Sequence, residues 1–113
     1  MLGKEAEDLA LNLLKKQGLH PITQNWHAKG GELDLVMLDG DTVVFIEVRY
    51  RKQAKYGSAI ESINWRKQQR IIIAAQHFLV NNLKWQNYNC RFDVVIFDGK
   101  NSSKWLKSAF DGI

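Results

Sequence analysis

Gly31-Glu32-Leu33-Asp34-Leu35-Val36-Met37-Leu38-Asp39-Gly40-Asp41-Thr42-Val43-Val44-Phe45-Ile46-Glu47-Val48-Arg49 is the stretch whose reading decides the fold. Two apolar runs, 32–38 and 42–50, bracket Asp39-Gly40, a strong hairpin signal. Each run carries an acid where a buried strand would carry none, Asp34 in the first and Glu47 in the second. An unpaired buried carboxylate is costly unless an ion or a partner holds it. The turn decides which acids meet. A two-residue turn at Asp39-Gly40 sets Glu32 opposite Glu47, with Asp34 diagonal on the same face. A four-residue loop over 39–42 sets Asp34 opposite Glu47, and only a three-residue loop splits the faces.

Working outward, the spacing of Ala6, Leu9, Ala10, Leu13 and Leu14 predicts a helix from Lys4 to Gln17, stopped by Gly18. Pro21 to His27 reads as a first strand, with Pro21 at its start where a missing donor is tolerated. After a loop containing Gly57, Asn64 is placed to cap a second helix through Ile71, Ala74, Ala75, Phe78 and Leu79 to Asn82. Arg91 to Phe97 reads as a fourth strand, and Ser103 to Phe110 as a last short helix. The order is α-β-β-β-α-β-(α), one α/β domain over 1–113 with a mixed sheet flanked by helices.

Length and composition exclude several classes. A chain of 113 residues with 45% hydrophobic and 25% charged residues can bury roughly two-thirds of its unfolded surface, so it needs neither disulfides nor a structural metal. Cys90 is the single cysteine, which forbids an internal disulfide and fits a cytoplasmic protein. Leu9-Ala10-Leu11 is too short for a secretory or membrane-spanning segment, so no membrane partner is expected. Gly30-Gly31 lacks the spacing of a phosphate loop. His20, His27 and His77 lack zinc-ligand spacing. The net charge of +4 permits a nucleic-acid partner without demanding one.

Like charges placed opposite each other destabilise a sheet. A hard, oxygen-seeking cation, Mg²⁺ or Mn²⁺, held by Asp34 and Glu47 with Glu32 in support would reverse that sign. The competing reading is an ion network in which the acids pair with Arg49, Arg51 or Arg91; spacing alone leaves both open. Arg66, Lys67 and Arg70 crowd the start of the second helix after Trp65, where cations oppose the helix dipole. A phosphate arriving there would offset that cost. Arg49, Arg51, Lys52 and Lys55 form a second basic run beside the acids, placed to track a nucleic-acid backbone. Tyr56 is a further aromatic beside Gly57. Cys90 reads as a small buried residue.

Gly3-x-x-x-Glu7-Asp8-Leu9-Ala10, Asn25-Trp26, Gly31-Glu32-Leu33-Asp34-Leu35, Val44-Phe45-Ile46-Glu47-Val48-Arg49-Tyr50-Arg51, Lys67-Gln68 and Arg91-Phe92-Asp93-Val94-Val95 together resemble the YraN family of small bacterial proteins. That family is similar to the restriction-endonuclease-like PD-(D/E)XK superfamily, with archaeal Holliday-junction resolvases among its nearest relatives in size and layout. The resemblance implies a restriction-endonuclease-like αβββαβ core and a Mg²⁺- or Mn²⁺-dependent endonuclease acting on structured or branched DNA. Asp34 and Glu47 resemble the two metal-binding acids, and Glu7 a further helical ligand; Gln68 is placed to orient a water. Resolvases work as dimers on two-fold junctions, so a homodimer is in keeping with the likeness.

The departure is Arg49, which stands where the signature has lysine. Arginine keeps its charge and cannot act as a base, though it can clamp a phosphate. Binding therefore survives this change more easily than cutting. The alternative is a catalytically inactive nuclease-fold module that binds nucleic acid or a protein.

Overall fold

The computed structural model describes residues 3–51, 63–98 and 102–113. Its elements are α1 (Gly3–Lys16), β1 (His20–Ala28), β2 (Gly31–Asp39), β3 (Thr42–Arg51), α2 (Trp65–Asn81), a 3₁₀ turn (Leu83–Trp85), β4 (Asn89–Asp98) and β5 (Ser102–Phe110). The five strands make one sheet in the order β1-β2-β3-β4-β5. Neighbours are antiparallel except β3 and β4, which are parallel. A parallel pair needs a crossover, and α2 supplies it.

Each face of the sheet carries one helix. Val36, Val43, Phe45, Phe92, Val94 and Ile96 pack against Ile71, Ala74, Ala75 and Phe78 of α2. On the other face Leu35, Met37, Val44, Ile46, Val95 and Phe97 pack against Ala6, Ala10 and Leu14 of α1. The central strands are apolar on both sides because both faces are covered. Asn64 caps α2 as expected, its side chain accepting the Lys67 amide at 2.8 Å.

The expected last helix is instead a strand. Residues 102–110 pair antiparallel with β4 and close an apolar edge that would otherwise lie open. Asp93, 1% exposed, makes the pairing specific. It accepts Trp105 Nε1 at 2.9 Å and the Ser108 amide at 3.0 Å, and is forked by Arg91. Ser108, with φ +50°, marks the irregularity where β5 shifts register. Arg91 also reaches Asp39 at 2.8 Å, tying β4 to the end of β2. Short-range helical spacing in 103–110 loses to this buried network, because tertiary pairing overrides weak local propensity.

Removing one partner of such a network strands the others. Asp93→Ala is expected to lower unfolding free energy by about 3–5 kcal/mol, measured by urea denaturation. A loss below about 1 kcal/mol, the worth of an ordinary exposed ion pair, would contradict the role given to Asp93.

Candidate functional site

The β2–β3 hairpin closes on the pair Asp39↔Thr42, with Gly40 at φ +61° in the loop. A left-handed first loop residue is what a two-residue hairpin turn calls for, and glycine adopts it without strain. The paired register runs from there to Leu35↔Ile46. Carried one step past the last pair, this register brings Asp34 to Glu47, and the two side chains interact. It is the register expected of a loop over 39–42, although the turn itself is the two residues Gly40-Asp41, and the Glu32–Glu47 alternative does not occur.

At Asp34 the regular strand stops. Leu33 belongs to the core under α2 and Leu35 to the core under α1. Residues two apart share a face in a regular strand, so the alternation breaks between them. The expectation that Glu32 and Asp34 share a face rested on that period and is corrected. On β1, Asn25 lies across from Asp34, between the pairs Gln24↔Leu35 and Trp26↔Leu33, and takes φ +50°. A left-handed backbone inside a strand is stored strain of the kind found at functional sites, and asparagine tolerates it better than most residues. The Asp34 carboxylate then turns toward β3 and accepts the Val48 amide at 2.9 Å.

Glu47 is buried, 5% exposed. Its pKa is pushed up to about 8, first by burial and then by the neighbouring Asp34 charge and a hydrogen bond between the two carboxyls. Lys67 opposes this, with Nζ 3.4 Å from Glu47 Oε1. Glu7 of α1 also faces Asp34. Burial raises its pKa first, then Asp34, with a hydrogen bond to Asn25 and the charge of Lys4 acting against them. Glu7 Oε1 is a buried oxygen with no hydrogen-bond partner among the described residues.

These three acids approach from α1, β2 and β3, all as oxygen donors. An unsatisfied buried oxygen on Glu7 beside the adjoining Asp34 and Glu47 carboxyls fits a hard divalent cation. Among the described residues no three acidic, histidine or cysteine side chains stand gathered as a finished metal cage. Glu32 is half exposed and pairs with His27 Nδ1 at 3.3 Å, and its charge adds to those that raise the pKa of Glu7.

The basic residues divide. Lys67 and Arg70 line a cleft of about 390 Å³ with His27, Gly30, Gly31, Glu32 and Ile71. Arg66 is exposed beside it. Gln68 donates from Nε2 to the Ile63 carbonyl at 3.0 Å, anchoring the start of α2. Arg49 is half-buried on β3, in register with Ile96. Arg51 continues β3 by its backbone alone, and Lys52, Lys55, Tyr56 and Gly57 lie outside the described residues. Cys90 is half-buried rather than buried. Sequence reasoning missed Asn25 as part of the site. Its signal is the Asn25-Trp26 pair, but a left-handed residue in a strand cannot be read from composition.

The chain belongs to the uncharacterised protein family UPF0102, the YraN family, whose model matches residues 6–97. It is 54% identical over 113 residues to a UPF0102 protein of Pseudomonas syringae pv. syringae strain B728a, covering 96% of this chain and 92% of that one. It is 56% identical over 110 residues to a UPF0102 protein of Pseudomonas fluorescens strain Pf0-1, with the same coverage. Among solved structures it is similar to Hjc of Archaeoglobus fulgidus, a Holliday junction resolvase, with a TM-score of 0.59 at 19% identity. That match covers 94% of this chain and 77% of Hjc. The two share a fold. No helix among the described residues is long and apolar enough to cross a membrane.

The raised pKa of Glu47 fixes a pH dependence. An ordinary glutamate near 4.5 is ionised in the unfolded chain while folded Glu47 still holds its proton up to about 8. The folded state therefore binds more protons across that window, and stability falls as pH rises through it. In chelator, stability is expected to drop by up to about 1.4 kcal/mol per pH unit and level off above the folded pKa. Glu47→Gln should flatten the slope. A stability that rises over the same range would contradict the burial assigned to Glu47.

Proposed function

We propose that this protein is a divalent-metal-dependent nuclease of the cytoplasm that acts on structured or branched DNA. The observation that carries the reading is the meeting of Asp34 and Glu47 where the β2–β3 ladder ends, beside a cleft lined by Lys67 and Arg70. The chain's fold likeness to a Holliday junction resolvase supports DNA as the partner. A two-fold junction would call for two copies of the site, so a homodimer belongs to this reading.

Asp34 and Glu47 would hold Mg²⁺ or Mn²⁺, with Glu7 as the further oxygen ligand and Glu32 at the margin. When bound, the ion supplies Lewis-acid stabilisation of phosphate charge and a more acidic water. Water adds its oxygen to phosphorus and gives up a proton to solvent, the bond from phosphorus to the leaving sugar oxygen breaks, and that oxygen takes up a proton from solvent in turn. A phosphate monoester and a sugar hydroxyl result. The protein's own part is placement. The Val48 amide fixes Asp34, Asn25 beside Glu7 counters the rise that burial gives its pKa, and burial of Glu47 keeps bulk water from screening its attraction for a cation. Arg66, Arg70 and Arg51 are the cations offered to flanking phosphates, and Arg49 is a permanent cation two residues from Glu47. Gln68, already bonded to Ile63, serves by holding α2 in place.

The second reading, binding without cutting, is favoured by Arg49 in the lysine position. Cleavage of forked and four-way DNA with Mn²⁺ separates the two. Asp34→Ala is expected to lower turnover at least about 100-fold while DNA affinity stays within a few-fold. Arg70→Glu should weaken binding and reduce the slope of log affinity against log salt by about one. Well-folded protein that binds and cuts none of these substrates would sink both readings; binding without Mn²⁺-dependent cutting would leave the second.

A further inference from the structure

We propose that Lys67 on α2, and not Arg49 on β3, supplies the lysine of this site, facing the reacting phosphate from beside Glu47. The inference rests on the nuclease reading above and specifies which cation does the work there. In the resemblance, lysine follows the second acid by two residues on the same strand. Arg49 occupies that place, and its charge cannot be withdrawn and its planar fork is a poor substitute for a compact ammonium. The helix packed over the same face brings the compact ammonium instead. Lys67 Nζ lies 3.4 Å from Glu47 Oε1, with the Lys67 side chain 37% exposed and that of Glu47 only 6%.

The amine thus has one side on a buried carboxylate and the other in the cleft shared with Arg70 and His27. An ammonium has three N–H donors. Those not spent on Glu47 are available to a phosphate oxygen or to a water resting against the two acids. A lysine that served only to neutralise Glu47 would need no such opening.

Three local features fix its position. The Lys67 amide is capped by Asn64, and Gln68 ties the same turn to Ile63. At Gly31 a Cβ would collide with the Arg70 carbonyl oxygen, so the first turns of α2 lie directly on the start of β2. Position 31 has no room for a side chain while α2 stays where Lys67 needs it.

The test uses the full chain with Mn²⁺ and a forked DNA, comparing wild type, Lys67→Met, and Lys67→Met combined with Arg49→Lys. In the assay Mn²⁺ held by Asp34 and Glu47 faces the Glu47 carboxylate, so losing Lys67 does not leave that acid without a cation. Lys67→Met is expected to lower kcat at least about 100-fold, with the thermal midpoint little changed and DNA affinity lowered far less than turnover. Adding Arg49→Lys should restore at least a tenth of the lost turnover by returning a lysine to the strand. Turnover kept by Lys67→Met overturns the proposal while leaving Asp34-dependent cleavage, and so the nuclease reading, intact. A loss of turnover that tracks a fall in thermal midpoint overturns it in favour of a structural role, and a loss that Arg49→Lys does not relieve overturns the equivalence of the two positions. Wild type that binds Mn²⁺ through Asp34 yet cuts nothing overturns it as well, since the chain would then lack a usable lysine.

Discussion

The hydrogen bond from the Val48 amide to the Asp34 carboxylate is the constraint on which the site depends. It places a side chain where a strand would continue its ladder, so β2 and β3 part at an acid rather than at a loop. Once that carboxylate is fixed between the strands, Glu47 cannot ionise freely beside it, and the pair is set up for a proton or a cation. The cost is visible in the neighbours. The face alternation of β2 breaks at Asp34, and Asn25 across from it adopts a left-handed backbone. Strain of this kind persists only where the surroundings over-determine it.

The surroundings do so from both faces. On one, α1 buries Ala6, Ala10 and Leu14 and thereby holds Glu7 against Asp34. On the other, α2 buries Ile71, Ala74, Ala75 and Phe78 and holds Lys67 against Glu47. The parallel pairing of β3 and β4 requires a crossover between them, and that crossover is α2 itself. Topology and site are one arrangement: the helix that makes the sheet mixed also delivers the cation. Away from the site, the Asp39–Arg91–Asp93–Trp105 network locks β4 and β5 across the sheet. The buried acids therefore divide by the partners they have. Asp93 is saturated by donors and structural, whereas Glu47 faces another acid.

Much of this was legible in the sequence. Two apolar runs around Asp39-Gly40, a capping Asn64 and two helical stripes give the order of elements through β4, because each signal is local. The opposition of Asp34 and Glu47 was one of two registers that turn geometry allowed. Which one occurs depends on whether Asp39 pairs or turns, and that is decided by packing along the whole hairpin. The last strand was misread because the attraction of 102–110 to β4 runs through Asp93, Trp105 and Ser108, a contact invisible to local periodicity. Asn25 was missed for a similar reason, since its conformation answers to Asp34 on the next strand. Lys67 was legible as a phosphate-facing cation, but its seat on Glu47 is a property of how α2 crosses the sheet. The shared face expected of Glu32 and Asp34 assumes a strand period that breaks between Leu33 and Leu35.

The central claim is that Asp34 and Glu47 form one cation site at the parting of β2 and β3. It is tested most directly by anomalous diffraction from crystals of the full chain grown with Mn²⁺. The arrangement predicts an anomalous peak within about 2.2 Å of oxygens from both Asp34 and Glu47, absent from Asp34→Asn crystals. A structure in which Mn²⁺ lies elsewhere, with Glu47 still held by Lys67 alone, would contradict it.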